Sequence, residues 1–171
     1  MQAVISLSRI RLGLVLLLAV IWLASCDVRR KGPSSAVDMA DPSAAAQLRE
    51  GFYGQESNRW RWAAEHFSVL LEPPPGTDET GAYLRLKFFI PDEEIQKTGS
   101  LTLSADVESV SLSPETIEKG GFFIYSRQVP AAALQSNLVK IAFTFDKAYL
   151  PGNGDARRLG AVVERISLNR K

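Results

Sequence analysis

The chain has 171 residues, with 20 basic and 19 acidic side chains, one histidine and one cysteine, and its formal net charge is +1. This near-neutral balance lacks the electrostatic footprint of a nucleic-acid-binding protein. The single cysteine excludes an intrachain disulfide, and the single histidine leaves few ways to build a Ser-His-Asp triad.

Residues 1–25 have the pattern of a secretory signal peptide. A basic stretch precedes an apolar run, LGLVLLLAVIWL at 12–23, which is short for a membrane-spanning helix. Two small residues and Cys26 follow, and LASC resembles the bacterial lipobox. That resemblance implies cleavage after Ser25 and acylation of Cys26, because several acyl chains anchor stably where one is marginal. The alternative is an uncleaved signal anchor with a chance cysteine.

The residues beside Cys26 bear on where the protein is located. Asp27 resembles the signal that retains lipoproteins in the inner membrane, facing the periplasm; the outer membrane is the alternative. Removing the signal peptide takes away Arg9 and Arg11 and no acid, which changes the net charge from +1 to −1. The basic run at 29–31 is suited to lie against anionic headgroups. The membrane is therefore an expected partner, and nucleic acid is not.

The chain after the lipobox changes character at about residue 51. Residues 26–50 are rich in Ala, Ser and Pro without sustained periodicity, which predicts a flexible tether, with a short helix allowed over PSAAAQLR. Regular alternation begins after this segment. We therefore predict one folded domain at 51–171.

Period-two alternation in this domain predicts half-buried antiparallel strands. In AYLRLKFFI, Leu84, Leu86 and Phe88 share one face while Arg85 and Lys87 share the other. The same reasoning selects EHFSVLL, SLTLSADV, SVSLS, FFIYSRQV, LVKIAFTF and GAVVERISL, separated by turns rich in Pro and Gly. The predicted fold is all-β: a single antiparallel β-sandwich, jelly-roll-like (galactose-binding-like).

Catalytic signatures such as GxSxG, HExxH or a phosphate-binding glycine loop are missing from the sequence. His66 falls within a predicted strand, where a structural role is expected. The acids at 92–94 follow a proline and are expected to form a solvated cap. We expect neither an enzyme nor a cofactor.

Two other segments, GFYGQESNRWRW at 51–62 and LPGNGDARRLG at 150–160, stand out for their aromatic and charged residues. Their patterns resemble those of β-sandwich modules found with bacterial glycosyltransferases and cell-surface polysaccharide proteins. The residues that carry the likeness are Gly51, Phe52, Tyr53, Glu56, Arg61 and Trp62 in the first segment, and Asp155, Arg157, Leu159 and Gly160 in the second. The resemblance implies a carbohydrate-binding-like module without transferase activity.

A sugar site would use these same residue types. Aromatic faces stack on a pyranose ring, while arginine and carboxylate groups bond its hydroxyls. The candidate ligand-binding residues are Tyr53, Glu56, Trp60, Arg61, Trp62, Asp155 and Arg157. The expected partner is an envelope glycan.

Other interpretations of these residues remain open. The two tryptophans, Trp60 and Trp62, share a strand face and fit a core, and the acids fit ion pairs with the arginines. Asn153 and Asp155 also fit a structural calcium site, although no metal is predicted. The rival function is a scaffold that docks an envelope protein such as a membrane glycosyltransferase.

Overall fold

Antiparallel strands make up most of residues 32–171, the part of the chain that the computed structural model describes. The predicted signal peptide, Cys26 and Asp27 lie outside the described residues. Residues from Pro33 to Lys171 form one unit.

Nine strands follow one another along this unit, with two short α-helices and two 3₁₀ turns. The strands are β1 (Ala36–Asp38), β2 (Leu48–Glu56), β3 (Trp60–Leu71), β4 (Ala82–Ile90), β5 (Leu101–Val107), β6 (Val110–Ile117), β7 (Gly121–Val129), β8 (Val139–Phe145) and β9 (Ala161–Arg170). The helices are α1 (Thr77–Thr80) and α2 (Asp92–Thr98), and the 3₁₀ turns are Pro42–Ala46 and Ala131–Ala133. Within residues 32–171, no helix is long and apolar enough to cross a membrane.

The main sheet has the order β6-β5-β8-β3-β9-β4-β7 and folds over on itself. β3 pairs with β9 only over 61–63 and 161–163, and its second half pairs with β8 instead. The two layers therefore share one short corner and diverge beyond it. The predicted all-β antiparallel sandwich is confirmed.

The core lies between the layers and is formed by the side chains that the alternation places inward. On β4, Leu84, Leu86 and Phe88 are at most 1% exposed. The rings of Phe67 and Phe143 stack at 4.9 Å between centroids, and Phe145 meets Phe88 edge-on at 6.0 Å. Because Phe145 belongs to β8 and Phe88 to β4, this contact joins the layers.

The free edges of the two layers, β6 and β7, lie close together. The Tyr125 hydroxyl donates to the Ser113 carbonyl at 2.9 Å, and Arg127 donates to the same carbonyl and to that of Pro114. Side chains of β7 thus bind backbone carbonyl groups at the edge of β6. A further strand would otherwise donate its amide hydrogens to these carbonyls.

The predicted tether is wrong over its second half, because residues 34–50 belong to the folded domain. β1 pairs with β9, and Val37 and Met39 are 1% and 0% exposed. This segment fills the gap where β3 and β9 diverge: Ser34 accepts from the Glu72 amide, and the Ser35 carbonyl accepts from Leu168. The strand β1 and the 3₁₀ turn in this segment are too short to show a periodic pattern of apolar residues in the sequence.

The predicted solvated cap at 92–94 is also wrong for one of its acids. Asp92 and Glu93 are exposed at the start of α2, but Glu94 is 0% exposed. Neither carboxylate oxygen of Glu94 has a hydrogen-bond partner among the described residues. Burial raises the pKa of Glu94 to about 8.

Candidate functional site: an aromatic groove on the outer face

A tight hairpin turn joins β2 to β3 and positions the tryptophans. Ser57 and Asn58 have positive φ of 51° and 52°, and the Arg59 amide donates to the Glu56 carbonyl at 3.1 Å. Two consecutive left-handed residues define a type I′ turn, whose twist matches that of the flanking strands. Trp60 is therefore the first residue of β3, directly opposite Glu56.

One glycine from each motif segment, Gly51 and Gly160, lies against the backbone of β3. A Cβ on Gly51, which has φ 75°, would fall 1.9 Å from the carbonyl oxygen of His66. A Cβ on Gly160 would fall 2.5 Å from that of Ala64, and the Gly160 amide donates to the Ala63 carbonyl. Both positions therefore need glycine because the chain passes so close to β3.

Trp60 and Trp62 lie on the outer face of the sandwich, not in its core. The alternate residue Ala63 is fully buried, so the neighbouring positions of the strand face outward. Both tryptophans are partly exposed. The core interpretation of the pair is therefore wrong.

Trp62 begins a row of apolar side chains that runs across four adjacent strands. It is register-paired with Val162 on β9, which is paired with Phe89 on β4, which is paired with Phe122 on β7. The Phe89 and Phe122 rings are tilted, with centroids 4.8 Å apart. Three strand spacings make this aromatic row ~14 Å long.

The aromatic row forms one side of a groove of about 380 Å³. Val162, 9% exposed, is its most buried residue, while Phe122 is 75% exposed. The groove combines aromatic and aliphatic surface with three charged side chains. Its lining residues are Glu56, Arg59, Trp60, Trp62, Phe89, Pro91, Phe122, Val162 and Glu164.

An ion-pair cluster beside the groove joins the two motif segments. Arg157 donates from Nη1 to Glu56 at 2.9 Å and from Nη2 to Asp155 at 2.7 Å. Its guanidinium lies 5.4 Å from the Tyr53 ring centroid, and the Tyr53 hydroxyl donates to the Arg158 carbonyl. Hydrogen bonds from Arg157 lower the pKa of Asp155, and both carboxylates raise the pKa of Arg157. The two motif segments therefore meet through the side chain of Arg157.

The predicted site residues therefore separate into two groups. Glu56, Trp60 and Trp62 line the groove, whereas Tyr53, Arg61, Asp155 and Arg157 do not. The Arg61 side chain lies on the inward side of β3, opposite Val163, and donates to the Tyr53 carbonyl at 3.1 Å. These four residues support the hairpin that carries the tryptophans.

Sequence reasoning missed the half of the groove formed by β4, β7 and β9. Phe89, Phe122 and Val162 come from strands far apart in the chain, and only strand register brings them together. One signal was present: Phe89 occupies the face of β4 that otherwise carries Arg85 and Lys87. An aromatic residue on a polar face suggests a surface with a role.

The structure argues against the alternative of a structural calcium site at Asn153 and Asp155, because Asp155 is already engaged by Arg157. Both carboxylate oxygens of Asp155 accept hydrogen bonds from Arg157. Across residues 32–171, no group of three or more His, Cys, Asp or Glu side chains is placed to hold a metal ion.

Comparisons with known proteins give no family for the chain. No family model and no curated protein matches it. A solved structure described as "CBM4 structure and function" aligns at 9% identity over 80% of this chain and 85% of its own, with a TM-score of 0.33. A likeness that distant carries no argument about function. What defines the protein is its own geometry: an antiparallel β-sandwich with an aromatic groove on its outer face.

Proposed function

We propose that the protein is a membrane-anchored, non-catalytic lipoprotein that binds a glycan in the aromatic groove, as an accessory to envelope polysaccharide handling. The observation that carries this proposal is the row Trp62–Val162–Phe89–Phe122, flanked by Glu56, Arg59 and Glu164. Its anchor is Cys26, and Asp27 favours the inner membrane facing the periplasm.

The groove has the composition that sugar recognition requires. Pyranose rings present apolar C–H faces that stack on aromatic side chains, and their hydroxyl groups need donors and acceptors at the rim. Trp62 and Phe89 supply ring surface, Arg59 supplies donors, and Glu164 supplies acceptors. A ~14 Å row is long enough for several sugar rings in line.

Removing the stacking surface should abolish most of the binding. We expect Trp62→Ala to weaken glycan binding roughly 10- to 30-fold, because a truncated aromatic anchor costs about 2 kcal/mol. The measurement is a glycan array followed by titration of the retained glycan. The thermal midpoint should change little, since Trp62 is partly exposed and lies outside the core.

The control is Leu150→Ala, which removes a side chain that is 56% exposed and does not line the groove. It should leave glycan binding unchanged. Retention of full affinity by the Trp62 variant would contradict the proposed site.

The anchor has its own test, in bacteria fed labelled palmitate. We expect Cys26→Ser to accumulate as an unprocessed precursor without label, because the thiol that carries the acyl groups is gone. Ser25→Ala keeps a small residue before the cysteine and should still be processed and labelled. Palmitate incorporation into the Cys26 variant would refute the lipobox interpretation.

A second candidate function is a scaffold that docks an envelope protein such as a glycosyltransferase. It is favoured by the exposure of Phe122 and Ile124, 75% and 57% respectively, which lie on the same face of β7. Ile124→Ser would then weaken capture of a protein partner while leaving glycan binding intact, because Ile124 does not line the groove.

A further inference from the structure

A second row of side chains lies beside the aromatic row on the same outer face. Lys87 lies two residues before Phe89 on β4 and is register-paired with Ile124 on β7. Arg85 lies two residues before Lys87 and is register-paired with Ser126 on β7. Steps of two residues keep side chains on one face, ~6.8 Å apart. Lys87 and Arg85 therefore extend from one side of the groove.

These two cations are exposed and carry no ion pair or hydrogen bond within residues 32–171. Six basic side chains of the same part of the chain are paired with carboxylates, whereas others, such as Arg49 and Arg170, are not; the paired ones are Lys97, Arg127, Lys140, Arg157, Arg158 and Arg165. Arg59, at the hairpin end of the groove, also lacks a carboxylate partner and lies 6.0 Å from the Trp60 ring centroid.

The acids on the strands of the groove offset this charge only in part. Glu56 pairs with Arg157 at 2.9 Å, but Arg157 also pairs with Asp155, so these three side chains together keep one negative charge. Glu164 is the remaining lining carboxylate, and it has no pair with Lys87. The groove and its flank thus hold three unpaired cations against two negative charges, that of Glu164 and the one left on the Glu56–Arg157–Asp155 cluster, in a chain whose total charge is near zero.

We propose that the ligand of the groove is an acidic polysaccharide, whose sugar rings lie along the aromatic row and whose carboxylates bind Lys87 and Arg85. This inference rests on the proposed function and specifies its substrate class. Charge-assisted hydrogen bonds between ammonium or guanidinium groups and carboxylates are about twice as strong as neutral ones. Because both cations are exposed, salt screens their contribution.

An anionic membrane surface also attracts cations next to apolar side chains. The geometry favours the polysaccharide, because the aromatic row is recessed at its centre. Val162 is 9% exposed, and Trp62 and Phe89 are only partly exposed. A single chain of sugar rings reaches into such a groove, whereas a flat bilayer surface does not.

The test uses the full chain, purified in detergent, against an array of neutral glycans and oligouronates, each oligouronate paired with its methyl ester. We expect the acidic form of the bound glycan to bind about tenfold more tightly than its ester, since one charge-assisted contact accounts for that difference. Added salt should remove the difference. Arg85→Gln with Lys87→Gln should weaken binding of the acid to the level of the ester and leave the ester unaffected.

The matched control is Arg49→Gln with Arg170→Gln, which removes two exposed cations that are also unpaired within residues 32–171 and do not line the groove. It should leave both affinities unchanged. Equal binding of acid and ester, or retention of neutral glycans alone, overturns the acidic ligand while the glycan-binding function stands. If no glycan binds at all, the proposed function fails as well. If the double variant loses only binding to anionic vesicles, the surface contacts lipid and the inference is wrong.

Discussion

A fragment that begins at residue 51 should fail to fold, whereas one that begins at residue 32 should be a stable β-sheet protein. Residues 34–50 carry Val37 and Met39 into the core, and they fill the gap where β3 leaves β9. Without them, two core positions become cavities open to water.

The hydrogen bonds of residues 34–50 explain why the rest of the chain cannot take the place of this segment in the fold. Gln47 is 9% exposed and donates from Nε2 to the carbonyls of Ser34 and Leu70, while its own carbonyl accepts from the Leu70 amide. Removing the segment leaves the Leu70 amide and carbonyl without these partners, and an unsatisfied buried group costs about 1–3 kcal/mol.

The expected loss is large against the whole stability of a domain. Burial of one Val or Met side chain contributes about 1.5–3 kcal/mol, and a domain of this size has about 5–15 kcal/mol in total. Circular dichroism and limited proteolysis of the two fragments measure the difference. Met39→Ala in the longer fragment should cost roughly 2–5 kcal/mol. Ala45→Ser, at an exposed position, should cost little. A cooperative unfolding transition in the shorter fragment would contradict the role of this segment.

Glu94→Gln should stabilise the protein, by an amount that grows with pH. Burial raises the folded-state pKa of Glu94 to about 8 from its ordinary value of 4.5. Between these values the unfolded chain has lost the proton that the folded chain keeps. Stability therefore falls as pH rises through this window, by about 1.4 kcal/mol per pH unit. Glutamine does not titrate and avoids this loss.

The expected curve is the difference between variant and wild type in free energy of unfolding, measured with urea from pH 4 to pH 9. It should be close to zero near pH 4, where Glu94 is protonated in both states, and reach about 5 kcal/mol above pH 8. Glu93→Gln is the control, because Glu93 is exposed and pairs with Lys97. A difference curve that stays flat across this range would mean that Glu94 is not held protonated.

The strands were predictable because burial on one face leaves a period of two in the sequence. In β4, each of Leu84, Leu86, Phe88 and Ile90 is inward, as the alternation indicates. Residues 34–50 were not predictable in this way. β1 has only three residues, and it is stabilised by pairing with Arg165, Ile166 and Ser167 of β9, far along the chain.

The residues of the groove likewise divide into those that the sequence indicated and those that it did not. Trp60 and Trp62 lie two residues apart in one segment rich in aromatic and charged residues, so the sequence alone singles them out. Phe89 and Phe122 join them through the register of β4 with β9 and β7, which depends on a bulge at Lys87–Phe88 and on strand order. Neither property is encoded locally. Likewise, nothing in three consecutive acids showed that Glu94 alone turns inward.

The contact between β6 and β7 has a consequence for copies held close together in a membrane plane, as the proposed lipid anchor would hold them. An open sheet edge offers backbone groups to any neighbouring chain, and high lateral density makes such pairing a hazard. Here Tyr125 and Arg127 occupy the carbonyls of Ser113 and Pro114, and Pro114 offers no amide to pair with. Copies crowded by that proposed anchor would thus meet through side chains at these positions of the edge, which are closed to strand pairing.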